Sequence, residues 1–201
     1  MKKNIFQICL CLFIFSCTKN LDDPRQNLVP VTTPFAETTQ FTVYKIRKGQ
    51  NFSDSNNFIQ IQYPELKFIA KFDSTAIYQT VDPNNQYDIN KLYGFSDNNT
   101  QHHQFSARFG WRWSDNALRL FGYIYNNGTV QHKEIGTVAI GSENNCSIKV
   151  TAKNYIFSLN KVVDSLPRAS ITPLGSGYKL YPYFGGDEPA PNDVIIRIKE
   201  L

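Results

Sequence analysis

The amino-acid sequence predicts an all-β protein, an antiparallel two-sheet sandwich of jelly-roll or concanavalin-like type. Three observations carry that prediction. Apolar and polar residues alternate with a period of two in short segments through residues 36–201. Clusters of Asn, Asp, Gly and Pro separate these segments, and no stretch sustains a 3.6-residue period over a helix length. So many short strands without crossover helices call for two packed sheets or a closed barrel.

The N-terminal residues read differently. Lys2 and Lys3 precede an apolar run from Ile5 to Phe15, relieved only by Gln7, and Ser16 stands before Cys17. Basic, apolar, then small is the order of a secretory signal, and Ile14-Phe15-Ser16-Cys17 resembles a bacterial lipobox. A permanent membrane helix needs about 20 apolar residues, more than this run provides. Residues 1–16 are therefore expected to be a lipoprotein signal peptide, with Cys17 the lipidated residue. The alternative is an ordinary signal cut elsewhere to leave a soluble secreted chain. Acyl chains on Cys17 would hold the protein on a membrane, since each buried CH₂ contributes about 0.8 kcal/mol. The expected location is the outer membrane, as a periplasmic or surface-exposed lipoprotein. Lys19, Asp22 and Asp23 resemble the surface-export signal of Bacteroidota lipoproteins. Residues 17–35, with Pro24, Pro30 and Pro34, read as a lipidated extended tether, and residues 36–201 as a single domain.

Within that domain the alternation predicts strands at 41–47, 58–62, 66–72, 76–79, 105–113, 117–125, 134–139, 146–153, 155–159, 177–183 and 194–199. Ser114-Asp115-Asn116 is a tight connection, and Asn126-Asn127-Gly128 is a hairpin turn because Asn and Gly tolerate positive φ. The segments 105–113 and 117–125 are thus expected to pair antiparallel. The residues Asp88 to Tyr93 predict a single helical turn with Asp88 as N-cap.

Composition narrows the function classes. The chain has 21 Lys and Arg against 17 Asp and Glu, two of the lysines lie in the signal, and no long run of either sign occurs. Nucleic acid is not an expected partner, for want of a basic footprint. Cys9, Cys11 and Cys17 belong to the signal and lipid site, leaving Cys146 alone in the domain, so no internal disulfide forms. Its alternating surroundings make Cys146 a small buried hydrophobe. Fifteen Phe, eleven Tyr and two Trp are the sharper deviation. Aromatics fill β-cores and, when exposed beside amides and charges, stack on sugars or partner proteins.

The candidate binding residues lie on the predicted hairpin. Alternation puts Phe109, Trp111 and Trp113 on one face and Ser106, Arg108, Gly110 and Arg112 on the other. Arg119, Phe121, Tyr123 and Tyr125 extend the second face on the next segment. Large aromatics belong in a core, and the arginines either pair with carboxylates or form a wet face that binds an anionic glycan. The expected ligand-binding set is Arg108, Arg112, Arg119, Tyr123, Tyr125, His102 and His103. The two histidines sit in a polar loop, Ser96 to His103. On an extended chain adjacent histidines point apart, which disfavours a shared zinc, while either could act as a general base near Arg108. Asp187, Glu188 and Asp193, beside Asn192, offer hard oxygens for a calcium ion in a loop stiffened by prolines; no other cofactor is expected. No nucleophile motif, phosphate loop or metalloprotease signature occurs.

Four strings, Phe72 to Tyr78, Asp88 to Asp97, Ser106 to Trp113 and Tyr181 to Pro191, together resemble small surface lipoproteins of Bacteroidota over most of the chain after the tether. The resemblance implies a β-sandwich lipoprotein and transfers no catalytic residue. The function expected from all this is a lipid-anchored envelope lipoprotein that binds a glycan or another envelope protein without catalysis. The alternative is a jelly-roll polysaccharide lyase or hydrolase acting on anionic glycans, and a structural envelope subunit is a third reading.

Overall fold

The computed structural model describes residues 40–201; the signal, Cys17 and the tether over 17–35 lie outside the described residues. Alternation with a period of two drives one face of each strand inward, and two such faces stacked together make the core. Sheet one runs in the order β1 (Thr42–Ile46), β12 (Val194–Glu200), β3 (Glu65–Phe72), β8 (Glu143–Val150), β9 (Asn154–Leu159), β10 (Val162–Pro167). Sheet two runs β2 (Gln60–Tyr63), β11 (Gly175–Leu180), β4 (Asn90–Ser96), β5 (Phe105–Ser114), β6 (Ala117–Asn126), β7 (Thr129–Val138). Every neighbouring pair is antiparallel. Among the described residues no helix is long and apolar enough to cross a membrane.

In β3, Leu66, Phe68, Ala70 and Phe72 point inward while Lys67 is exposed. From the opposite sheet, Phe109 and Trp111 of β5 are wholly buried. Phe109 lies edge-on to Phe68 at 5.7 Å and to Phe157 of β9 at 5.3 Å, so one ring is held between two strands of the facing sheet. Edge-to-face geometry places the positive ring edge on a negative face and contributes about 0.5–1.5 kcal/mol beyond area burial. Cys146 is buried in the same core, and burial pushes its thiol well above the ordinary range.

The hairpins form where the turn residues require them. Asp115 and Asn116 both adopt positive φ, closing β5 onto β6 with Ser114 opposite Ala117. Asn127 and Gly128 do the same between β6 and β7. Both are two-residue turns whose left-handed backbone matches strand twist.

Four local expectations are corrected. Residues Asp88 to Tyr93 do not form a helical turn: Asn90–Ser96 is a strand between β11 and β5, and Asp88 ends a 3₁₀ helix, Pro83–Tyr87, capped by Asp82. That strand is buried at almost every position, so the alternation that identifies half-buried strands is missing. Residues 76–79 are not a strand; Ser74–Ala76 is a 3₁₀ turn capped by Asp73, and the chain then continues without ladder pairing. Strand β10 went unpredicted because Asp164, Ser165 and Pro167 interrupt its apolar residues. It forms at the sheet edge, where a proline removes no needed donor. Finally, Asp97 is not part of a solvated loop but fully buried.

Candidate functional site

The outer face of sheet two carries the site. Arg108 stands at the centre of β5, and the register places Gly94 of β4 and Tyr123 of β6 on either side of it. Position 94 has no room for a side chain: a Cβ there would lie 2.2 Å from the Ala107 carbonyl oxygen and 2.4 Å from Arg108 Cβ. The Tyr123 ring centroid is 6.0 Å from the Arg108 guanidinium carbon and 4.9 Å from Lys91 Nζ. Lys91 lies opposite Gly110 and is fixed by two carbonyls, donating to Ile89 O at 2.7 Å and Gly185 O at 3.0 Å.

The loop joining β4 to β5 brings in the histidines. It turns rather than extends, so His102 and His103 do not diverge as an extended chain would require; their ring centroids are 4.1 Å apart. The His102 backbone N–H donates to the Tyr178 hydroxyl at 3.1 Å, and His102 Nδ1 is 2.9 Å from the same oxygen. His103 packs edge-on to Tyr125 at 5.3 Å. Phe52, 67% exposed, stands edge-on to Tyr183, and Phe58, 73% exposed, lies 5.4 Å from Tyr178. A cleft of about 500 Å³ results, with Arg108, Lys91, His102, His103, Tyr125 and Tyr183 among its lining.

Its electrostatics are one-sided. Arg108 is only 6% exposed, its Nε is buried without a hydrogen-bond partner, and no carboxylate among the described residues pairs with it. Burial pulls its guanidinium down to about 10, while Tyr123, Tyr125, Tyr178 and Tyr183 around it act in the opposite sense. Burial, together with repulsion from Arg108, lowers Lys91 to about 8. Burial, Arg108 and His103 lower His102 to about 4, so its imidazole is neutral near pH 7. Among the described residues no Asp or Glu lines the cleft. The third lining cation, Lys179, is neutralised by Glu200 at 2.8 Å. A buried cation without a partner is costly.

Of the residues expected from sequence, Arg108, Tyr125, His102 and His103 meet in this cleft, and Tyr123 lies against Arg108 and Lys91 beside it. Arg112 and Arg119 do not line it. They face each other across β5 and β6, farther along the sheet. Arg119 is neutralised by Asp115 at 3.2 Å and Glu134 at 3.0 Å. The Arg112 guanidinium packs on Phe121 and Tyr87 and donates to Ser114 Oγ and Tyr87 O. The carboxylates considered for calcium are spread over separate contacts. Glu188 accepts from the Asp82 and Val81 backbone N–H groups and from Asn85 Nδ2. Asp193 pairs with Lys45 at 2.6 Å and accepts the Lys48 N–H, while the Asp187 N–H donates to Asp88. Among the described residues no three His, Cys, Asp or Glu side chains come together as a metal would need.

Sequence reasoning did not single out Lys91, Tyr178, Tyr183 or Phe52. Lys91 was hidden by the helical reading of β4. Tyr178 and Tyr183 lay within a predicted strand, where alternation puts them on opposite faces and so gave no signal that both belong to the site. Phe52 lies outside the named strands, in a segment without periodicity.

No protein-family model matches the chain, and no curated protein matches it. Solved structures do. The alginate lyase AlyC3 superposes with a TM-score of 0.54 at 10% identity, covering 79% of this chain and 72% of that one. A GH16 protein from the Bacteroides ovatus mixed-linkage glucan locus, in complex with a glucan product, gives a TM-score of 0.53 at 12% identity, with 83% of each chain covered. The chain therefore has a jelly-roll-like two-sheet β-sandwich fold, in agreement with the arrangement of the twelve strands among the described residues.

Proposed function

We propose that this chain is an envelope lipoprotein, anchored through Cys17, whose cleft binds an anionic polysaccharide and cleaves it at a uronate by β-elimination. The observation that carries the reading is Arg108, a buried guanidinium with no carboxylate partner, aimed into a cleft free of acidic residues. A uronate carboxylate laid on that fork is held and neutralised, which acidifies the neighbouring C5 proton. His102, neutral at pH 7, serves as the base in this reading. The electron pair left on C5 forms the C4=C5 double bond, the C4–O bond breaks, and the departing oxygen takes a proton from a tyrosine hydroxyl of the ring around Arg108. No water is consumed, and atoms and charge balance. Hydrolysis needs two carboxylates flanking the scissile bond, and the cleft lining has none. The likeness to an alginate lyase supports the reading at the level of fold.

One observation favours binding without turnover: an imidazole with a pKa near 4 is a weak base. The two readings separate in a single experiment. The mature chain is mixed with a panel of uronate polysaccharides, and the absorbance of the unsaturated uronate is followed alongside calorimetric binding. Rising absorbance that Arg108→Ala abolishes supports the lyase. Binding without absorbance leaves the non-catalytic glycan-binding protein, and the absence of both defeats the proposal. Mass spectrometry of the N-terminus, with Cys17→Ser as control, tests the anchor.

A further inference from the structure

Resting on the reading of the cleft as an anionic-glycan site, we propose that its ligand carries a sulfate ester beside the uronate carboxylate, the carboxylate at Arg108 and the sulfate at Lys91. One carboxylate can neutralise only one cation, and this cleft presents two. Lys91 and Arg108 both lie close to the ring of Tyr123, at 4.9 Å and 6.0 Å from its centroid. Lys179 is discounted because Glu200 neutralises it. The acidic group nearest in effect to Lys91 is Asp88, which lies outside the cleft lining and accepts the Asp187 N–H.

The two cations differ in what they recognise. The planar fork of Arg108 matches a carboxylate, whereas a lysine is a point charge able to meet one oxygen of a tetrahedral group. Two of the three Lys91 N–H donors are directed to Ile89 O and Gly185 O, which leaves one for a ligand and fixes where it points. The wall beside Lys91 is formed by Gly185 and Gly186. At Gly186 the Asp88 carboxylate takes the place where a side chain would stand. An uncharged hydroxyl at that position would leave the half-buried ammonium without a counter-ion inside the cleft.

The test compares unsulfated chondroitin with chondroitin sulfate, the same backbone without and with the ester, by calorimetry on the mature chain. The sulfated form is expected to bind about tenfold more tightly. Lys91→Met is expected to bring that ratio to about one. Arg119→Ala, which removes a cation already neutralised outside the cleft, leaves the ratio as it is. Equal affinity of the wild-type chain for the two polymers, no binding of the sulfated one, or a Lys91→Met variant weakened equally toward both overturns the proposal. Should Lys91→Met fail to fold, the wild-type ratio alone decides. Continued binding of unsulfated uronate polymers with a ratio of one would defeat the sulfate assignment and leave the uronate site standing.

Discussion

Asp97 and Arg168 form a fully buried ion pair, Nε to Oδ2 at 2.8 Å, that ties the end of β4 in one sheet to the segment after β10 in the other. The Tyr155 hydroxyl of β9 donates to the same carboxylate oxygen, and Thr172 Oγ1 and the Ser176 and Asn98 N–H groups donate to Oδ1. Burial acts to raise the Asp97 carboxyl, but the hydrogen bonds from Arg168, Tyr155 and these backbone groups outweigh it and hold the pKa below the ordinary range. Removing one partner leaves the other charged and buried. Asp97→Ala is therefore expected to cost about 3–5 kcal/mol of stability, measured by urea unfolding. A loss below about 1 kcal/mol would show that the pair does not hold the sheets together.

Arg108 presents the opposite case. Its charge is buried with no carboxylate partner among the described residues, so Arg108→Met should keep or increase the melting temperature while abolishing binding of anionic polysaccharide. Buried charges replaced by well-packed apolar groups are often neutral or stabilising. Thermal melts paired with calorimetry check both halves, and a variant that loses stability together with binding would assign Arg108 a structural role.

Gly94→Ala tests the geometry around that arginine without touching a charge. The new methyl meets backbone and the Arg108 side-chain root, neither of which can swing away. Displacement of β4 from β5 should lower stability by about 1–3 kcal/mol and weaken glycan binding as well. Unchanged binding in calorimetry would mean that Arg108 need not be held where it is.

Acid should destabilise the fold partly through His102. Its pKa is lowered from 6.5 to about 4 by burial first, then by Arg108 and His103. Between those values the unfolded chain takes up a proton that the folded chain refuses, so this contribution to stability is complete above pH 6.5 and falls as pH drops toward 4. Below 4 both states are protonated and the loss ends. Melting temperatures recorded from pH 8 to 4 should fall less steeply for His102→Gln than for the wild type, and parallel curves would refute the assignment.

Much of the sandwich was legible locally. Leu66, Phe68, Ala70 and Phe72 alternate in plain view, and Asp115-Asn116 and Asn127-Gly128 name their own turns. What escaped was set by neighbours. β4 looks helical because a strand flanked on both sides and buried on nearly all positions shows no period of two. β10 carries a proline that only an edge position tolerates. The histidine loop was read as extended and proved to turn, which brought both rings into the cleft.

By itself the sequence determined that the domain is a two-sheet β-sandwich with Phe109 and Trp111 inside and three arginines on the reverse face of one hairpin. It could not rank those arginines, which look alike along the strand. Tertiary structure alone decided that Arg119 meets Asp115 and Glu134, that Arg112 rests on Tyr87 and Phe121, and that Arg108 is left unpaired among tyrosines. The reason is physical: alternation depends on residues two apart, whereas neutralising a charge depends on which strands pair, in what register, and which loops fold over them.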